Sequence, residues 1–243
     1  MGQTEAQEER AMGDTLAQAV TGLRGAPLFS DASLPMLRRL AAAARPRLLA
    51  RGDTLFKAGD ASEGLYVLTR GQIKVYARSE QGQEKVIEVI AAPACVGESQ
   101  LCEAVQHVSH AAALSEAHLL LLPRAALLHE LEADPGLAVR LAADLSGRLN
   151  KLVRDIEAVT LHSAAQRVAS YLRNLSSLAA ESDGGLAGCM VSLPASKGTI
   201  ASLLSVTPEH FSRILHDLQS RGLIAVNRRQ IHIPDVARLS GLA

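Results

Sequence analysis

At 243 residues the chain is long enough for one large domain or two modest ones, and with 48% apolar residues it can bury a core. Aromatic residues make up only 2% and tryptophan is absent, so that core has to come mostly from Leu, Val and Ala. The formal net charge of zero announces no nucleic-acid partner, and three cysteines (Cys95, Cys102, Cys189) make no disulfide framework and suit a reducing cytoplasm. Residues 1–20 carry Glu5, Glu8 and Glu9 and no apolar run, which predicts no secretory leader. The most apolar stretch, residues 111–128, is broken by Glu116, His118, Pro123 and Arg124, where a membrane span needs about 20 apolar residues.

Residues 1–26 are polar and read as a disordered or loosely helical extension. Asp31 is expected to cap an amphipathic helix through Leu34, Leu37, Leu40 and Ala44, ended by Pro46. From Leu48 the rhythm changes. Turn signals at Gly52, Gly59, Gly64, Gly71 and Gly82 separate short alternating runs at residues 54–57, 65–68, 73–76 and 85–90, and residues 111–122 are expected to close the sheet. Such spacing indicates an antiparallel barrel or jelly roll over residues 27–133.

A long helix follows over residues 134–160. Leu137, Leu141, Leu145, Leu149, Leu152, Ile156 and Val159 step by four and three, an a/d seam. The seam is longer than one small barrel could cover, which favours a homodimer joined along Leu141, Leu145, Leu149, Leu152 and Ile156 over a helix packed on its own barrel. Ser163 can cap a further helix through Val168, Tyr171, Leu172 and Leu175, which runs into a Gly-rich loop at residues 181–188; Cys189 reads as a strand residue.

Two short helical patterns then stand back to back. The first has Ile200, Ala201, Leu203 and Leu204; the second has Phe211, Ile214, Leu215 and Leu218 in the i, i+3, i+4, i+7 stripe of a helix with one buried face. Ser205-Val206 leaves room only for a tight turn, Thr207 is a good N-cap, and Pro208 falls at the first helical position, where its missing N–H costs nothing. The opposite face carries Glu209, Ser212, Arg213 and His216. This is a helix-turn-helix whose outward face can hydrogen-bond base edges. Two strands, residues 223–226 and 230–233, meet at Asn227-Arg228-Arg229 as a β-hairpin wing. From Ser192 to Ile233 five Lys/Arg stand against two acids, so the basic charge gathers where the motif needs it. The fold class is therefore α+β: an N-terminal antiparallel β-roll, a long dimerisation helix and a C-terminal winged helix-turn-helix over residues 161–243.

Order and motifs together resemble the superfamily of the cyclic-AMP receptor protein and the fumarate–nitrate reduction regulator, over about residues 27–236. The carriers are RGDTLFKAGD and LYVLTRGQIKVY within Arg51–Tyr76, VGE at Val96–Glu98, and PEHFSRILHDL at Pro208–Leu218. In the fumarate–nitrate branch a Glu-x-x-Ser-Arg face reads a TTGAT-like half-site. The resemblance therefore implies a cytoplasmic, homodimeric transcription regulator, not an enzyme. It would bind a TTGAT-N4-ATCAA-like palindrome in double-stranded DNA through Glu209, Ser212 and Arg213, with RNA polymerase as a further partner. The chemistry agrees: arginine's planar fork matches guanine O6 and N7, and a glutamate can accept from the cytosine amino group. Lys197, Thr207, His216, Arg228 and Arg229 are the candidate phosphate contacts, although solvated surface charge is the plainer reading of Arg221 and Arg229. Ser205 stands where such turns usually have glycine.

Relatives that bind cyclic nucleotide carry Gly-Glu and, eleven positions after that glycine, an arginine for the cyclic phosphate followed by serine. Here Gly97, Glu98 and Ser109 match, but the arginine position is Val108, which argues against cyclic AMP because a buried phosphate would lack its cation. With no cysteine before Cys95, the iron–sulfur branch is excluded too. GQEKVIEVI (residues 82–90) and SVTPEHFSRI (residues 205–214) are similar to the dissimilatory nitrate respiration regulators, which sense nitric oxide through haem. Cys95, Cys102, His107 and His110, the last two expected in an exposed loop, are the haem-ligand candidates; a regulator answering another small molecule is the alternative. A cupin-like metal enzyme with His107 and His110 as ligands is the other-class reading, and it lacks the further ligands such a site needs.

Overall fold

The computed structural model describes residues 15–101, 106–183 and 188–241. In chain order these form α1 (residues 15–25), α2 (Leu34–Ala43), β1 (Arg45–Leu49), β2 (Thr54–Phe56), β3 (Gly64–Arg70), β4 (Gln72–Arg78), β5 (Glu84–Ala91) and β6 (Ala94–Val96). Then come β7 (His110–Ala113), β8 (Ala117–Pro123), α3 (Arg124–Ala133), α4 (Pro135–Leu161), α5 (Ala164–Asp183) and β9 (Cys189–Ser192). The chain ends with α6 (Lys197–Leu203), α7 (Pro208–Ser220), β10 (Ala225–Asn227), β11 (Gln230–Ile233) and α8 (Val236–Ser240). The described residues divide into two compact units, the first within 1–77 and 88–149, the second within 78–87 and 150–243.

Two four-stranded sheets, ordered β1-β8-β3-β6 and β2-β7-β4-β5, build the β-roll. Strands β3 and β8 pair antiparallel and are apolar on both faces. Their alternate residues serve different cores, as a period of two requires. Tyr66, Leu68, Leu119 and Leu121 meet Phe56, Ile73, Ile90 and Ala111 between the sheets. Leu65, Val67, Leu120 and Leu122 point the other way and pack under Leu23, Leu37, Leu40, Leu127, Leu137 and Leu141 of the helices. At the β3–β4 turn Gly71 has φ 91°, and a side chain there would strike the Glu116 carbonyl oxygen, so this turn admits only glycine.

Several expectations need correction. Ser33, not Asp31, caps α2, its side chain accepting from the Met36 N–H. Residues 111–122 are two strands, because Leu114–Glu116 turn the chain between β7 and β8. Strands β1 and β6 and helices α3 and α8 are not among the expected elements, and α5 extends to Asp183 into the expected loop. Part of that loop, like residues 1–14, lies outside the described residues. The seam of α4 also divides. Leu137 and Leu141 are buried in the first unit's own core, and Leu145 packs against it. From Leu149 onward the stripe is exposed, with Ile156 at 68%.

In the second unit β9 joins β10 and β11 as a three-stranded antiparallel sheet, ordered β10-β11-β9. Ile200, Ala201, Phe211, Ile214, Leu215 and Leu218 are buried, as the helical stripe requires.

Candidate nucleic-acid interface and effector pocket

Local chemistry sets up α7. The Thr207 hydroxyl accepts from the His210 N–H at 3.2 Å, and Pro208 opens the helix. Ser196 caps α6 in the same way, accepting from the Thr199 N–H at 3.1 Å. Between them Ser205 has φ 56°, a left-handed conformation that costs a non-glycine residue roughly 1–2 kcal/mol. With four apolar residues turned inward, Glu209, Ser212, Arg213 and His216 all stand exposed on one helix. The Ser212 hydroxyl donates back to the Pro208 carbonyl at 2.9 Å and keeps its lone pairs outward.

The other predicted contacts behave differently from one another. Lys197 is half-buried on the first residue of α6, and Arg228 is exposed at the wing tip with φ 55°. Arg229 is folded back: its Nε and Nη2 donate to the Leu193 carbonyl at 3.2 and 2.8 Å, tying the wing to the end of β9. Arg221 pairs with Asp217 at 3.6 Å.

Two distant cations hold the turn between α6 and α7. Lys85 Nζ donates to the Ser202 carbonyl, the Leu203 carbonyl and the Ser205 hydroxyl. Arg167 of α5 donates to the Leu204 and Ser205 carbonyls from the other side. Both partners lie far off in the chain, so no periodicity or spacing could have pointed to them.

In the first unit, Gly97 (φ 93°) starts the short turn that carries Glu98. Glu98 is 2% exposed and its carboxylate accepts from Arg148 Nη2 at 2.6 Å. The same guanidinium donates to the Cys95 carbonyl at 2.8 Å and to Asp144 at 3.2 Å, and lies 3.7 Å from Glu88. Burial pushes the Glu98 carboxyl up to about 7 against the downward pull of Arg148. Arg148 lies on α4 beside the apolar seam and is not part of its leucine, isoleucine and valine spacing. Val108 is 84% exposed and Ser109 half-buried, so this stretch supplies no cation to the pocket.

His107 contradicts the exposed loop expected for it. It is 2% exposed, stacks on Phe56 with centroids 3.6 Å apart, and exchanges backbone hydrogen bonds with Gly59 and Asp60. Burial holds its imidazole below the usual range, and its Nδ1 has no hydrogen-bond partner among the described residues. His110 is half-buried on β7, its Nδ1 accepting from the Ala58 N–H and its ring stacked on Tyr76. Cys95 is buried and its thiol is pushed well up, chiefly by burial, which disfavours the thiolate that would bind iron. Cys102 lies outside the described residues. As arranged here, the three described candidates do not fit a haem: each is enclosed in the roll's packing or already bonded. Among the described residues no group of three or more His, Cys, Asp or Glu could hold a metal ion. No described helix is long and apolar enough to cross a membrane.

Comparison with known proteins agrees with this geometry. Residues 166–242 match the Crp-like helix-turn-helix domain family, and residues 46–134 match the cyclic nucleotide-binding domain family. The fumarate and nitrate reduction regulatory protein of Escherichia coli (strain K12) is 30% identical over 199 residues, covering 82% of this chain and 78% of that protein. In fold the chain resembles FixK2 from Bradyrhizobium japonicum, with 23% identity, a TM-score of 0.72, and coverage of 82% of this chain and 96% of that one. DNR from Pseudomonas aeruginosa is 32% identical, covering 92% and 96% respectively, at a TM-score of 0.47.

Proposed function

Because the chain belongs to the Crp/Fnr family of DNA-binding transcription regulators, we propose that it acts as a homodimer reading a TTGAT-N4-ATCAA-like palindrome. One observation carries the reading: Glu209, Ser212 and Arg213 stand together and exposed on a capped helix whose four apolar residues are all buried. Arg213 can give a bidentate pair to guanine, and Glu209 can accept from a cytosine amino group. Lys197 and Arg228 supply phosphate contacts, while Arg229 serves the wing's own structure. The exposed stripe of α4, Leu149, Leu152, Ile156 and Val159, is the face for the second copy. A two-fold dimer sets two α7 helices about one DNA turn, roughly 34 Å, apart.

The regulator answers a small signal other than cyclic AMP. Val108 provides no cation for a cyclic phosphate, and the carboxylate that would take a ribose hydroxyl is already bonded to Arg148. Retardation of a TTGAT-N4-ATCAA duplex over a scrambled one at fixed salt, with the mass of the complex measured in the same solutions, tests the reading. Two copies per duplex and a clear preference are expected. Equal binding to both duplexes would sink it.

A further inference from the structure

Ser205 holds a conformation that glycine adopts freely, so its side chain needs a reason to be there. Its hydroxyl accepts from Lys85 Nζ at 2.8 Å. The same ammonium donates to the Ser202 carbonyl at 2.6 Å and the Leu203 carbonyl at 2.9 Å, which uses all three of its donors. Ser202 adds a second tie: its hydroxyl accepts from the Val86 N–H at 2.8 Å and donates to the Glu84 carbonyl at 3.0 Å. On the far side Arg167 donates from Nε to the Leu204 carbonyl at 2.9 Å and from Nη2 to the Ser205 carbonyl at 3.2 Å. The carbonyls at a helix C-terminus lack helical partners and carry the negative end of the helix dipole. Here every carbonyl from Ser202 to Ser205 meets a cation. All these residues belong to the second unit, whose 78–87 segment carries Lys85.

We propose that Lys85 is a positioning residue for DNA reading: its ammonium, seated on three acceptors at the α6–α7 turn, fixes the direction in which α7 leaves that turn. Base-edge hydrogen bonds tolerate little misplacement, so Glu209, Ser212 and Arg213 depend on this seat without touching it. The inference rests on the DNA-reading role given above. A lysine in this part of such a protein invites a simpler reading as a phosphate contact. The geometry speaks against that, since the ammonium has no donor left for a phosphate.

Lys85→Met keeps the side chain's length and removes its charge. In the full chain it is expected to weaken binding to the palindrome about tenfold and to a scrambled duplex about twofold or less. The slope of log affinity against log salt stays unchanged, because no phosphate contact is lost. In a Ser205→Gly background, where the turn is relaxed without its lysine, the same change costs only about threefold, a non-additivity that marks a shared turn. Amide exchange at residues 204–207 quickens in Lys85→Met and not in Lys85→Arg, which restores the charge.

Equal loss on both duplexes with a shallower salt slope makes Lys85 a phosphate contact and overturns the proposal. Tighter binding by Lys85→Met overturns it also, by making the seat a restraint. Strict additivity with Ser205→Gly does the same. Should the native chain show no preference for the palindrome, the functional reading fails by itself, and the exchange rates at residues 204–207 then decide whether Lys85 fixes the turn.

Discussion

On α7 the functional side chains stand outside and the apolar ones inside, all within one helix of 13 residues. Around Gly97 the polar groups are inside, and Glu98 finds its partner on α4, 50 residues further along. The first arrangement presents chemistry to a large external partner. The second turns its chemistry inward and leaves a titratable, buried pair. A surface built for reading needs only a rigid frame, whereas a pocket can respond to a signal only if some arrangement inside it can be exchanged for another. Arg148 is held by Glu98, Asp144, Glu88 and the Cys95 carbonyl at once, so any rearrangement there has to exchange several contacts together.

The comparison breaks most visibly at Arg213. Arg213→Ala removes a bidentate base contact worth about 1–3 kcal/mol per half-site, and a palindrome doubles the loss. The ratio of palindrome to scrambled affinity should fall about a hundredfold or more, with the fold and the Glu98–Arg148 pair unaffected. A titration of both duplexes at one salt concentration measures this; a ratio that survives the substitution removes Arg213 from the reading face.

The pocket should fail in another way. The folded chain holds the Glu98 proton more tightly than the unfolded chain, with a value raised from the ordinary 4.5 to about 7. Its contribution to stability is therefore full below about pH 4.5 and is lost as the pH rises through about 7. Arg148→Met leaves a buried carboxylate unpaired at pH 8, at a cost of about 3 kcal/mol, and costs much less at pH 5, where Glu98 is protonated. Glu98→Gln should flatten the dependence. Urea unfolding of the three proteins at both pH values gives the numbers, and a cost for Arg148→Met that ignores pH would show that Glu98 is not its main partner.

What was legible in the sequence follows from the same contrast. The helix-turn-helix could be read because its signals are local: caps at Ser196 and Thr207, proline at a first position, and apolar residues at helical spacing. Strands β2 to β5 were legible through their glycine turns, whereas β1 follows directly on α2 with no glycine between them. The β7–β8 turn was hidden because Leu114–Glu116 contain neither glycine nor proline, and β8 is apolar on both faces, so its alternation does not show. Every pairing that sequence reasoning missed, Glu98 with Arg148 and Lys85 with the α6–α7 turn, joins residues that only the folded chain brings together. His107 looked like a loop histidine for the same reason: the Phe56 ring that covers it lies 51 residues earlier.

At the start of the reading helix, one residue could serve both structure and contact. Thr207 caps α7 through its hydroxyl and is also exposed beside the reading face. Thr207→Ala removes the cap and should lower the stability of the second unit by about 1 kcal/mol. Thr207→Ser keeps the cap and the hydroxyl, and should behave as the native chain in both stability and binding. Thr207→Asp keeps a capping oxygen and adds a charge that the helix N-terminus favours but DNA phosphate repels. If Thr207 only builds and stands clear of phosphate, the aspartate variant matches the native protein in both stability and affinity. If Thr207 also touches phosphate, as the sequence suggests, the aspartate variant keeps its stability and loses affinity on palindrome and scrambled duplex alike, most strongly at low salt. Melting curves set beside binding at two salt concentrations separate the two roles.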